Sequence, residues 1–159
     1  MFIRYFLELQ DPYDRIEAAL LSDPTTWIPR EAHAANAAGE QLLSDVGFAA
    51  TNGHRVDKRV EISFGEPVRT FVQARLPMSW SATGPTRLFP SFEADLEVAA
   101  LGAGRTQISI SGRYRPPLGA LGRAFDRALL HRVAEATVKD FLDRVAQALA
   151  DRVHVDADG

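Results

Sequence analysis

The last part of the chain constrains the fold most. Pro116-Pro117 closes a run of alternating residues, and from about Leu118 to Arg152 the apolar spacing is helical, with no further proline. A helix of that extent is roughly 50 Å long at 1.5 Å per residue, enough to cross a whole antiparallel sheet. A sheet with one apolar face needs a cover, and this helix is the only large element available to supply it. The expected class is therefore α+β, a sheet covered by one terminal helix.

The sheet itself is read from period-2 alternation. From Phe2 to Leu9, the residues Ile3, Tyr5, Leu7 and Leu9 fall on one side and Phe2, Arg4, Phe6 and Glu8 on the other. "KRVEISFG" sets Val60, Ile62 and Phe64 against Arg59, Glu61 and Ser63. "RTFVQARLPMSWSA" places Val72, Ala74, Leu76, Met78 and Trp80 on one face, and "RLFPSFEADLEVAAL" does the same with Phe92, Ala94, Leu96 and Val98. The "GAG" that follows is a tight-turn signal into "RTQISISGRY", where Ile108 and Ile110 face inward. Pro77 and Pro90 sit inside two of these runs, where bulges or edge positions are expected.

Between the first strand and this meander lie short helices. Asp11-Pro12 reads as N-cap and first helical position, with Ile16, Ala19 and Leu20 as the buried stripe. "SDPTTWIP" repeats the start signal and is expected to stop at Pro29. "REAHAANAAG" adds a turn or two and is expected to end at Gly39, before a strand in "QLLSDVGF".

The long helix carries two stripes. One is Leu118, Leu121, Phe125, Leu129 and Val133; the other is Ala134, Val138, Phe141, Val145 and Leu149, and Leu129 and Val145 lie about 160° apart on an ideal helix. Either the helix bends near 130–137 or its halves meet different partners. The preferred reading has the C-terminal half gripping the sheet while the N-terminal half packs under a mouth of loops. A homodimer contact through one stripe is the rival.

A strand, a pair of helices, a curved meander and a closing helix resemble the helix-grip fold of the START / polyketide-cyclase-like (SRPBCC) superfamily. The layout spans Phe2 to Arg152, and "DPTTWIP", "GEQLLSDVGF" and "RYRPPLGALGRAFDRALLHRVAEATVKDFL" are its most family-like stretches. The match is one of pattern, because the superfamily has no universal active-site motif. It implies an apolar cavity between sheet and helix, holding a lipid, polyketide, sterol or other hydrophobic molecule. Residues 1–153 form the expected helix-grip domain and 154–159 a frayed polar tail. A cystatin-like cone fits less well, since its long helix usually precedes the sheet.

On that reading Tyr5, Leu76, Met78, Trp80, Phe92, Tyr114, Phe125 and Leu129 line the cavity, an apolar pocket with a few polar handles. The plainer alternative is that these side chains fill a solid core. A second alternative is a polyketide cyclase- or aromatase-like enzyme on the same scaffold, in which Arg75, Tyr5, Tyr114 or Asp95 assist proton transfer. A third is a dimerising interaction module without ligand.

The remaining chemistry-bearing residues read as structural. His33, His54, His131 and His154 show no metal-ligand spacing, and no nucleophile-elbow, zincin or phosphate-loop motif is present. No metal, cofactor or catalytic residue is therefore assigned. Glu93, Asp95 and Glu97 share one face and read as solvated. Arg113, Arg115, Arg123, Arg127 and Arg132 gather at the strand-to-helix corner, where they form a polar face or attract an anionic head group. Gly119 and Gly122 in the first helical turns serve close packing or a gate.

Composition narrows the class further. With 159 residues, no cysteine and a net charge of −3, a single domain without disulfides or thiolate metal sites is expected, and nothing points to nucleic acid. Lys58 and Lys139 are the only lysines, an arginine bias typical of GC-rich bacterial genomes. Arg4 and Glu8 interrupt the apolar N-terminus, and no run approaches the ~18 apolar residues of a membrane span. A cytoplasmic protein whose partner is a small hydrophobic molecule is the expectation.

Overall fold

The computed structural model describes residues 1–45, 60–82, 91–115 and 127–157. Among them six strands and three helices follow in the order β1 (Phe2–Leu9), α1 (Tyr13–Leu21), α2 (Pro24–Asp45), β2 (Val60–Phe64), β3 (Val68–Arg69), β4 (Gln73–Ala82), β5 (Ser91–Ala100), β6 (Thr106–Arg115) and α3 (Arg127–Ala157). The strands form one antiparallel sheet in the order β1-β6-β5-β4-β2, with β3 also on β4. The β5–β6 turn places Gly102 and Gly104 at φ of 85° and 74°, the left-handed region that the "GAG" signal implied.

Register converts alternation into layers. Trp80, Phe92 and Tyr114 lie side by side across β4, β5 and β6, followed by Met78, Ala94, Gly112 and Ile3, and then by Leu76, Leu96, Ile110 and Tyr5. All these rows face the helices. Gly112 is a point of close approach between β6 and β5: a Cβ there would overlap the Glu93 carbonyl and the Ala94 side chain.

Pro77 lies within β4 and divides its edge partner. Gly65 donates to the Pro77 carbonyl at 2.9 Å, but proline has no N–H to return. Pairing with β2 stops at Phe64–Met78 and resumes only at β3. The ring also packs where a Gly65 Cβ would stand, 3.1 Å from it. Val72, expected on the inner face, precedes β4 and is exposed.

The front of the chain departs from expectation in two ways. Asp11 does not cap α1; Pro12 occupies that position without a side-chain bond, and the Asp11 carboxylate instead meets His154 Nε2 at 3.1 Å. More substantially, α2 runs unbroken through Pro29 and Gly39 to Asp45, so Gln41–Asp45 is helix and not strand; residues 46–48 of that stretch lie outside the described residues. Pro29 forfeits only the bond to the Thr25 carbonyl, while Trp27, Ile28, Ala32 and Ala35 are buried around it. Gly39 serves contact and not termination: a Cβ there would overlap Thr137 Oγ1 of α3, so the two helices meet closely at this pair.

Helix α3 buries one face over the sheet, with Val133, Ala134, Val138, Phe141, Leu142, Val145, Leu149 and Val153 in the core. It is continuous through 130–137, and Val133 and Ala134 are buried together, so the two stripes merge there. It also continues past Arg152 to Ala157. Residues 118–126, with Leu118, Leu121 and Phe125, lie outside the described residues. No helix among the described residues is long and apolar enough to cross a membrane.

Candidate functional site

The sheet end bordered by Ala82, Ser91 and Arg115 collects the largest side chains. Trp80, Phe92 and Tyr114 face inward there because each occupies the same phase of its strand. Phe141 descends onto them from α3. The Trp80 and Phe141 rings meet edge-on at 5.2 Å and 79°, the Trp80 and Phe92 rings are 5.4 Å apart, and Phe92 and Tyr114 are 6.4 Å apart. These tilted contacts place ring edges against ring faces, the arrangement the aromatic quadrupole favours. All four residues are buried.

One polar atom in this cluster stands out. The Trp80 indole Nε1 is buried and has no hydrogen-bond partner among the described residues. An indole N–H only donates, and leaving it unpaired away from water costs about 1–3 kcal/mol. Such a group in a native protein calls for an explanation.

The eight residues expected to line a cavity divide into groups. Trp80, Phe92 and Tyr114 form the first row, with Met78 in the next, all buried. Leu76 and Tyr5 belong to a row further along the sheet, roughly 13 Å from the first at 3.3 Å per residue. Leu76 is fully buried in the core, whereas Tyr5 stands at the β1 edge beneath Lys139, whose ammonium is 5.3 Å from the ring centroid. Lys139 also meets Asp143 at 2.6 Å, and this carboxylate, aided by the Tyr5 hydroxyl, holds its pKa above the usual lysine range. Leu129 is half-buried near the start of α3, and Phe125 lies outside the described residues. Phe141 was assigned only to a helical stripe by sequence reasoning; its phase at the centre of the buried face was the signal that it belonged with the strand aromatics.

Other residues with potential chemistry are scattered. Glu93, Asp95 and Glu97 lie on the outer face, as alternation required, and Arg115 approaches Glu93 at 3.8 Å. His131 pairs with Glu135 one turn on, and Arg132 is exposed. The side chains of Arg123 and Arg127, together with His54, Gly119 and Gly122, lie outside the description. Among the described residues no cluster of three or more His, Asp or Glu could hold a metal ion. A trough of about 540 Å³ opens on the sheet's outer face over Ser63, Pro77, Ser79, Asp95 and Ser111; its floor is small side chains and strand backbone, without an enclosing wall. It is a surface depression opposite the aromatic cluster.

A concave antiparallel sheet closing on a long C-terminal helix defines the helix-grip class. Among solved structures, the chain is similar to a conserved protein from Geobacillus kaustophilus, with 11% identity over 95% of this chain and 96% of that one and a TM-score of 0.52. It is also similar to a hypothetical protein from Helicobacter pylori (14% identity, 91% and 88% covered, TM-score 0.46) and to the Zhui aromatase/cyclase from Streptomyces sp. R1128 (16% identity, 96% and 95% covered, TM-score 0.39). No family model and no curated protein matches the chain. At these identities the likeness is one of fold.

Proposed function

We propose that the protein binds a small hydrophobic molecule, aromatic in part, between α3 and the end of the sheet bordered by Ala82, Ser91 and Arg115. Met78, Trp80, Phe92 and Tyr114 form the sheet side of the site; Phe141 and Leu129 form the helix side, and Leu76 and Tyr5 lie beyond it. The observation that carries this reading is the Trp80 N–H, buried without a hydrogen-bond partner among the described residues although it stands within a cluster of aromatic rings. A ligand with an apolar body and one carbonyl or phenolic oxygen satisfies the donor and retains the stacking.

Tryptophan fluorescence tests this directly. Trp27 and Trp80 are the only tryptophans, so Trp27→Phe leaves Trp80 as the sole reporter. Titration with 2-naphthol is expected to quench or shift its emission saturably. Trp80→Phe in the otherwise native chain is expected to weaken naphthol binding, followed by the probe's own emission, about tenfold, the worth of one neutral hydrogen bond. Unchanged Trp80 emission together with no detectable binding overturns the proposal.

A further inference from the structure

Among the described residues, one edge of the sheet is β1 and the other is formed by β2 and β3. Strand β1 ends the strand order, pairs only with β6 among the described residues, and does so one-to-one from Phe2 to Leu9 without a bulge. Edge strands of soluble proteins are usually guarded by proline, lysine, a bulge or a covering element. β1 contains no proline or lysine; on its outer side Phe2 and Phe6, 64% and 59% exposed, alternate with the exposed charges Arg4 and Glu8, and on its inner side Tyr5 and Leu7 are half-buried.

The register fixes which backbone groups point outward. Met1 and Tyr114 exchange both bonds, Tyr114 N to Met1 O at 2.8 Å and the Met1 ammonium to Tyr114 O at 3.1 Å. Antiparallel pairs alternate between bonded and non-bonded positions, so Ile3, Tyr5, Leu7 and Leu9 bond inward to β6. The N–H and C=O of Phe2, Arg4, Phe6 and Glu8 therefore point away from the sheet, available to a further strand.

We propose that this edge pairs with the same edge of a second copy, antiparallel, about a two-fold axis at Phe6. In that register Phe6 faces Phe6 of the second copy, and Arg4 faces its Glu8 on either side of the axis. These are the outward-directed residues, so each pair exchanges both backbone bonds. The intervening pairs on the inner face are Tyr5 with Leu7 and Ile3 with Leu9, apolar throughout. Two-fold registers centred on Arg4 or Tyr5 instead bring like charges together or set Arg4 against Phe6. The self-complementary charge pattern thus selects one register, and an isologous contact of this kind closes as a dimer. The result is one sheet continuous through both copies, with Phe2 and Phe6 drawn into a shared outer surface. This inference is independent of the ligand site.

Sedimentation equilibrium with charge reversals tests it. The native chain is expected to dimerise reversibly. Arg4→Glu and Glu8→Arg each place like charges in both flanking pairs and are expected to raise the dissociation constant at least about tenfold. An equimolar mixture of the two variants restores opposite charges at every pair and is expected to recover the native affinity as a heterodimer. Both residues are exposed and Glu8 meets Arg105 only at 3.4 Å, so neither change threatens folding, which thermal unfolding checks. Hydrogen exchange is a second readout: the amides of Arg4, Phe6 and Glu8 gain protection with concentration, while those of Tyr5 and Leu7 are protected throughout. A native chain that stays monomeric overturns the proposal, as does a dimer whose affinity neither reversal changes.

Discussion

The Trp80 indole of β4 stands edge-on to the Phe141 ring of α3, their centroids 5.2 Å apart. This contact joins sheet to helix at the end of the molecule where the large side chains gather. It also sets the depth at which α3 crosses the inner face of the sheet.

Phe141 is fully buried, so Phe141→Ala removes the ring and leaves a void that the surrounding strands close only in part. A loss of about 3–5 kcal/mol in urea unfolding is expected. A loss below about 1 kcal/mol would mean that α3 does not rest on this ring.

Gly112→Ala is expected to destabilise by about 1–3 kcal/mol, the usual cost of an overpacked site, because the new methyl meets the Ala94 side chain and the Glu93 carbonyl. Adding Ala94→Gly relieves the first clash and not the second, so the double variant recovers only part of the loss. Full recovery would place the whole strain on the side chain.

Glu17 and Arg69 tie α1 to β3, with the buried Tyr13 phenol beside them. Arg69 Nε donates to Glu17 Oε1 at 2.8 Å, and this bond holds the Glu17 carboxyl below its ordinary 4.5 against the opposing effect of burial. A lowered folded value stabilises above the unfolded pKa, and that contribution disappears as the pH falls below 4.5 through the folded value. Burial, reinforced by the neighbouring Glu17 charge, pushes the Tyr13 phenol up to about 12 from 10.0. A raised folded value stabilises below the unfolded pKa, so this contribution is present up to pH 10 and lost between 10 and about 12. Glu17→Gln is expected to flatten the acid limb of stability and Tyr13→Phe the alkaline limb. Urea unfolding across pH reads both, and an unaltered alkaline limb in Tyr13→Phe would contradict the assignment.

The strands of the meander were legible because their alternation is strict. Phe92, Ala94, Leu96 and Val98 admit only one facing, and that facing also brings Trp80, Phe92 and Tyr114 into one row. The course of α2 was not legible, because its two apparent stops are local signals overridden by tertiary contacts. Pro29 is carried by the buried residues around it, and Gly39 is small so that Thr137 can approach. Gln41–Asp45 is too short for its apolar residues to distinguish a period of 2 from one of 3.6. Tyr5 has the phase of an inner-face residue but stands on the edge strand, and strand order is information that alternation does not carry.

Native mass spectrometry of the protein as purified, run beside a denaturing spectrum, tests the central claim most directly. Ligand binding at the aromatic cluster predicts a non-covalent species heavier than the polypeptide by one small organic molecule, lost on denaturation and diminished in Trp80→Phe. A native mass equal to that of the bare chain, unchanged after incubation with excess 2-naphthol, would contradict it and leave the four rings as a filled core.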